Sequence, residues 1–153
     1  MVQQTTQMLT DLYESDETAW LEAMAELIEL GSLGDLDYLH LGEYLGDMAR
    51  RDRREVESRL TTLMAHVLKS TCQADQHDNS WRATIILQRQ ELTKALGRGV
   101  LRNHAQTVLA EAYADAVELA AAETGLAVKT FPSECPYSLV QLLSPNFLEE
   151  QDS

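Results

Sequence analysis

The chain has 153 residues, 44% of them hydrophobic, a length that fits one domain and a content that can bury a core; a disordered chain is excluded, since its apolar surface would not offset the entropy of ordering. The formal net charge of −13 argues against nucleic acid, whose phosphates attract lysine and arginine, and against anionic membrane surfaces, while it suits a basic protein partner and keeps the domain soluble. Aromatic residues are few and alanine, leucine and glutamate abundant, a helix-forming composition.

The first helical stretch is expected over Asp11 to Leu30, where Trp20, Met24, Leu27 and Ile28 recur at helical spacing and Glu22, Glu26 and Glu29 take the other face. Gly31 and Gly34 break it. A second helix is expected to open at Leu36-Asp37, with Asp37 as N-cap and Leu36 and Leu41 as a hydrophobic staple across the cap. Leu41, Tyr44, Leu45 and Met48 continue one face, and Gly42 and Gly46 either weaken the helix or admit a close neighbour. The next segment, Met48 to Leu68, starts with the mixed-charge cluster Arg50-Arg51-Asp52-Arg53-Arg54-Glu55, read as a solvated turn or helix face, and then turns amphipathic through Val56, Leu60, Leu63, Met64, Val67 and Leu68.

A polar loop, Gln73 to Asn79, leads to Ser80 as candidate N-cap of a helix over Trp81 to Leu96, closed by Gly97-Arg98-Gly99. A long helix follows over Leu101 to Thr124, with Ala105, Val108, Leu109, Ala112, Tyr113, Ala116, Leu119 and Ala120 on one face and Gly125-Leu126 as a left-handed C-terminal cap. From about 126 to 153 the chain is irregular: Phe131-Pro132 and Cys135-Pro136-Tyr137 punctuate it, Pro136 is expected to begin a short helix through Leu143, and Pro145 to stop it. Together these predict one all-α domain, 1–153: an antiparallel bundle of about five main helices with an irregular C-terminal wrap.

An ordered set of residues runs through the chain: Tyr13, Trp20, Leu36-Asp37, Leu41-Gly42-Glu43, Ala65-His66-Val67-Leu68-Lys69, Ser80-Trp81-Arg82 with Ile85 and Arg89, Ala112-Tyr113 with Ala116, Thr130-Phe131-Pro132 and Cys135-Pro136-Tyr137. In order and spacing it resembles the bacterial family called domain of unknown function twenty-nine. The resemblance covers nearly the whole chain; it implies a compact helical fold and no particular activity. Two departures are visible: Tyr44 stands where the family usually has a second acid after the residue matching Glu43, which weakens any paired-carboxylate mechanism, and Gly99-Val100-Leu101 replaces a frequent Pro-Ser-Leu entry into the long helix.

On a helical wheel Trp81, Ile85, Leu92 and Leu96 share one arc, and Arg82 and Arg89 fall between it and Ile86, on the apolar side. A guanidinium keeps its charge, so burial there demands an acid, for which Glu43 and Asp47 are the candidates and Asp37 a weaker one. Three readings stay open: a structural clamp between helices, a pocket in which both arginines hold a carboxylate or phosphate, or arginines at the surface with their stems along apolar groups. His66 is a candidate general base beside the apolar stripe, or a satisfied half-buried donor, with Lys69 pointing away from the stripe. His40, Glu43, Asp47 and His66 lack any metal-ligand spacing, so no metal and no cofactor is expected. Trp20 and Trp81 are expected to anchor the core, Tyr113 to send its hydroxyl to a buried acid, and Cys135 before Pro136 to anchor the tail or cap the short helix. His77 and Asp78 look solvated and His104 superficial. Cys72 and Cys135 fit no metal or redox motif and are expected reduced and buried.

The N-terminal residues Gln3, Gln4, Thr5 and Thr6 carry no charged-then-apolar leader, and no apolar run reaches the ~20 residues of a membrane span, so the expected compartment is the cytoplasm. With no nucleophile elbow and no phosphate loop, function stays open. The leading expectation is a non-enzymatic interaction domain that binds a basic protein or a second copy of itself, with neither nucleic acid nor membrane as partner. The alternative is a small-anion receptor or enzyme using Arg82, Arg89, His66 and Glu43.

Overall fold

The structure, a computed structural model, describes residues 2–73, 79–97 and 99–147, with residues 2–6 and 79 described by their backbone only. Among these residues it holds six α-helices and no strand: α1 (Val2–Ser15), α2 (Glu17–Glu29), α3 (Tyr38–Cys72), α4 (Asn79–Ala95), α5 (Val100–Thr124) and α6 (Leu139–Leu143), with single 3-10 turns at Leu33–Asp35 and Val128–Thr130. An all-helical bundle with five long helices is what the sequence predicts, but two boundaries differ and offset each other in the count. His77, Asp78, Arg98 and the last six residues of the expected wrap lie outside the described residues.

The first boundary is a break inside the expected Asp11–Leu30 helix. Asp16 leaves helical geometry, and its carboxylate accepts the amide of Ala19 at 3.1 Å, so it caps α2 while α1 ends at Ser15. The second is a junction expected near Met48, across which α3 runs unbroken for 35 residues. From Ala49 to Thr71 it contains no glycine or proline, and the charged cluster supports the helix through pairs one turn apart, Arg50 with Asp47 and Arg59 with Glu55. The mixed charges are thus a helix face, and at ~1.5 Å per residue α3 spans about 50 Å.

Contacts divide the chain into two compact units, Met1–Arg50 and Arg51–Ser153, with α3 contributing its first third to one and the rest to the other. In the first unit Leu9, Trp20 and Met24 form the buried centre, with Leu12, Tyr13, Leu27, Leu36, Leu41 and Tyr44 packed around it. Trp20 is fully buried, edge-on to Tyr13 at 4.8 Å and tilted against Tyr44 at 5.9 Å. Gly31, at φ +73°, lets the chain turn back out of α2, a conformation that disfavours a β-carbon. Ile28, expected on the inner face, is exposed.

The second unit is an up–down–up arrangement. Arg59 of α3 reaches Gln88 of α4 at 3.1 Å and Lys69 lies over Trp81, so α3 and α4 run oppositely. Glu57 meets His104, Thr61 the carbonyl of Ala112, and Lys69 meets Glu123, so α5 runs alongside α3 in the same sense. The core comprises Val56, Leu60, Leu63, Met64 and Leu68 of α3, Ile85, Leu92 and Leu96 of α4, and the Ala105–Ala112–Ala116–Ala120 stripe of α5 with Tyr113. Alanines along α5 let the three helices approach closely. Gly125, at φ +75°, donates to Ala121 and caps α5 as the sequence predicts.

The tail folds onto this core through Phe131, Tyr137, Leu139, Leu142 and Phe147, all buried. Ser138, not Pro136, starts the short helix: its hydroxyl accepts from the amide of Gln141, and the Gln141 side chain accepts from the amide of Ser138. Pro136 sits exposed two residues earlier, outside the helix.

Candidate functional site

Polar chemistry in the first unit centres on Asp37. Its backbone carbonyl starts α3, and one carboxylate oxygen accepts the His40 amide at 3.4 Å, the expected N-cap. The other takes the indole N–H of Trp20 at 3.2 Å and meets Nδ1 of His40 at 2.7 Å. A carboxylate only accepts, so Nδ1 is the protonated nitrogen in that contact. Burial pushes the Asp37 carboxyl up, but the hydrogen bonds from His40 and Trp20 outweigh it and hold it below the usual range. The His40 ring rests on Tyr13 at 4.4 Å. Burial first, then the charges of Glu43, Asp47, Glu17 and Asp37, raises the Tyr13 phenol. Asp37 is thereby committed to its own unit, where it locks α2 to the start of α3.

The candidate acids and bases fall in different units. Glu43 and Asp47 belong to the first and are exposed, with Asp47 receiving Arg50 of the same helix. His66, Arg82 and Arg89 belong to the second. His66 is half-buried, with Nδ1 2.9 Å from the carbonyl oxygen of Thr62, a hydrogen bond along its own helix. Arg89 is half-buried and donates to the carbonyl of Pro145 at 3.4 Å, tying α4 to the end of the tail. Arg82 is exposed, so its position beside the apolar arc does not draw it inside. Among the described residues no group of three or more His, Cys, Asp or Glu side chains is arranged to hold a metal ion.

Lys69 corrects the sequence reading most. Expected to point away from the apolar stripe, it is buried, ion-paired to Glu123 and 5.3 Å from the centroid of the Trp81 ring. Trp81 is only half-buried and serves as a platform for that ammonium. The Tyr113 hydroxyl goes to the carbonyl of Pro132 at 2.6 Å, a backbone acceptor where an acid was expected. Cys72 and Cys135 are free and half-buried rather than buried; Cys135 contacts the carbonyl of Tyr137 at 3.4 Å and so anchors the tail. Burial raises both thiols and the phenols of Tyr113 and Tyr137, which keeps all four protonated near neutral pH. His104, expected at the surface, is half-buried against Glu57 at 2.9 Å. A cleft of about 330 Å³ in the second unit is lined by Asp52, Glu55, Arg59, Glu91, Lys94 and Leu101, and both of its cations are paired within it, Arg59 with Glu55 and Lys94 with Glu91.

The family model described as domain of unknown function DUF29 matches residues 12–148, covering most of both units. The chain belongs to the DUF29 family. No curated protein and no solved structure matches it. Within the matched residues of this DUF29 chain, Trp20, Tyr113, Phe131 and Tyr137 are buried in the cores and Asp37 caps α3.

Charge and apolar exposure set the two units of this DUF29 chain apart. Residues 1–50 hold eleven acids and one basic residue, Arg50, so this third of the chain carries ten of the thirteen net negative charges. Among the described residues twelve large apolar side chains stay exposed, and seven of them lie in that same unit. Counting charge over the whole chain hides this concentration; dividing the count near Gly46 and Arg50 reveals it.

Proposed function

We propose that this DUF29 chain is a protein-interaction domain of the cytoplasm, without catalytic activity of its own, whose N-terminal unit meets the partner. One observation carries the reading: the first unit combines most of the net charge with most of the exposed apolar side chains. Exposed apolar groups rimmed by charge mark interaction surfaces, because a lone unit gains nothing by leaving them in water. The second unit has the larger buried core and serves as the scaffold. The free cysteines suit a reducing compartment, and among the described residues no helix is long and apolar enough to cross a membrane.

Capture with the tagged full chain at low and high salt, together with sizing of the purified protein, tests this. The expected result is a specifically captured protein whose yield falls as salt rises, since screening weakens contacts between opposite charges. A strict monomer that captures nothing at either salt overturns the reading.

A further inference from the structure

Part of the exposed apolar surface of the first unit lies along α3. On α3, Tyr38, Gly42, Leu45 and Ala49 recur at intervals of four, three and four residues, which places them in one stripe, and all four are exposed. Leu39 flanks the stripe with 79% of its surface exposed. Its inner counterpart, Leu41 and Tyr44, packs on Trp20, so the stripe is a second apolar face of the same helix. At its head the hydroxyl of Tyr38 donates to the carbonyl of Leu33 at 2.5 Å, which fixes the tyrosine against the 3-10 turn that carries exposed Leu33. Among the described residues a β-carbon added at Gly42 would meet nothing within 4 Å, so none of them occupies the space this glycine opens.

We propose that this face of α3 seats a cationic amphipathic helix carried by a partner protein; the inference rests on the interaction-domain reading and names the partner's chemistry. The stripe matches the apolar side of a helix, and Gly42 lets its backbone come close. The first unit carries ten net negative charges, which suit lysines or arginines along the partner's flanks. A second copy of this chain is disfavoured as occupant, since ten net negative charges would face ten more. A tyrosine already held by a hydrogen bond loses little freedom on docking.

The test uses the full chain and two labelled peptides, one with leucine on one helical face and lysine on the other, and one with the same lysines but no leucine. Binding is compared with the Leu39→Glu/Leu45→Glu double variant, whose sites are exposed, so an unchanged melting curve verifies its fold. Added negative charge tightens a purely electrostatic contact but blocks seating of an apolar face. The expected result is that the leucine–lysine peptide binds the parent and binds the variant about tenfold or more weakly, while the lysine-only peptide binds the variant no more weakly than the parent. No binding to the parent, equal or tighter binding to the variant, or a parent dimer that the variant dissolves overturns the proposal. A variant that loses the peptide effect but still captures a partner protein leaves the interaction domain standing and removes this face from it.

Discussion

Lys69 of α3 is buried against Glu123 of α5, with its ammonium 5.3 Å from the centroid of Trp81 on α4, so one cation joins all three long helices of the second unit. The arrangement is asymmetric: the Glu123 side chain is 44% exposed, while that of Lys69 is 6% exposed. Removing the acid strands a buried charge, whereas replacing the lysine by an apolar chain of similar length removes the need for the acid. Glu123→Gln is therefore expected to destabilise by about 1–3 kcal/mol, and Lys69→Met by less than about 1 kcal/mol. Chemical denaturation of both single variants and the double variant measures this; a double variant no more stable than Glu123→Gln alone contradicts the ion-pair account.

Asp37 gives the first unit a pH signature. Its folded-state carboxyl is held below the ordinary value by His40 and Trp20 despite burial, so between the two values the unfolded chain binds more protons than the folded one. The stabilisation is complete above the unfolded value of about 4 and fades as pH falls toward the lower folded one. Asp37→Asn keeps a capping side chain and removes the charge. It is expected to cost about 1–3 kcal/mol at pH 7, with the gap from the parent narrowing below about pH 4. Denaturation curves at pH 7, 5 and 3 decide it; a gap independent of pH assigns the stabilisation to shape alone.

The pattern that made the helices legible is hydrophobic periodicity, and it succeeded where side chains face a single core. Trp20, Leu60, Leu92 and Ala116 are buried as their spacing predicts, and the cap at Gly125 follows from its residue type. It failed where polar residues take specific partners. Asp16 lies inside the stretch expected as one continuous helix, yet its carboxylate caps α2 and separates it from α1. Lys69 lies off the α3 stripe in projection, but a long side chain can reach an acid and an aromatic ring contributed by residues 54 and 12 positions away. Arg82 shows the reverse: an angular position next to apolar residues did not imply burial. Exposure of Tyr38 and Leu45 was invisible to a rule that assigns apolar residues to the inside, since the first turns of α3 carry two apolar faces and pack only one of them against a core.

Tyr113 holds the tail by one strong contact. Its ring is buried beside Tyr137, and its hydroxyl donates to the carbonyl of Pro132 at 2.6 Å. Tyr113→Phe keeps the ring and deletes the donor, so the expected loss is about 1 kcal/mol. The loss should be local, with amides of Leu139–Leu143 exchanging faster than those in the middle of α5. Hydrogen exchange resolves the two; equal acceleration in both segments contradicts a tail-specific role.

Gly42 separates stability from docking. It lies within α3, is exposed, and has helical backbone geometry with open space where a β-carbon would sit. In an isolated chain the glycine therefore only costs backbone entropy, and Gly42→Ala is expected to stabilise by about 0.5–1 kcal/mol, raising Tm by about 2–4 °C per kcal/mol. A partner helix resting on this position would meet the added methyl group, so the more stable variant should bind the leucine–lysine peptide more weakly. Paired melting and binding curves check both halves. A variant that gains stability and binds as well as the parent removes close backbone approach at Gly42 from the docking geometry, and one that loses stability shows that the open space above this glycine is filled in solution.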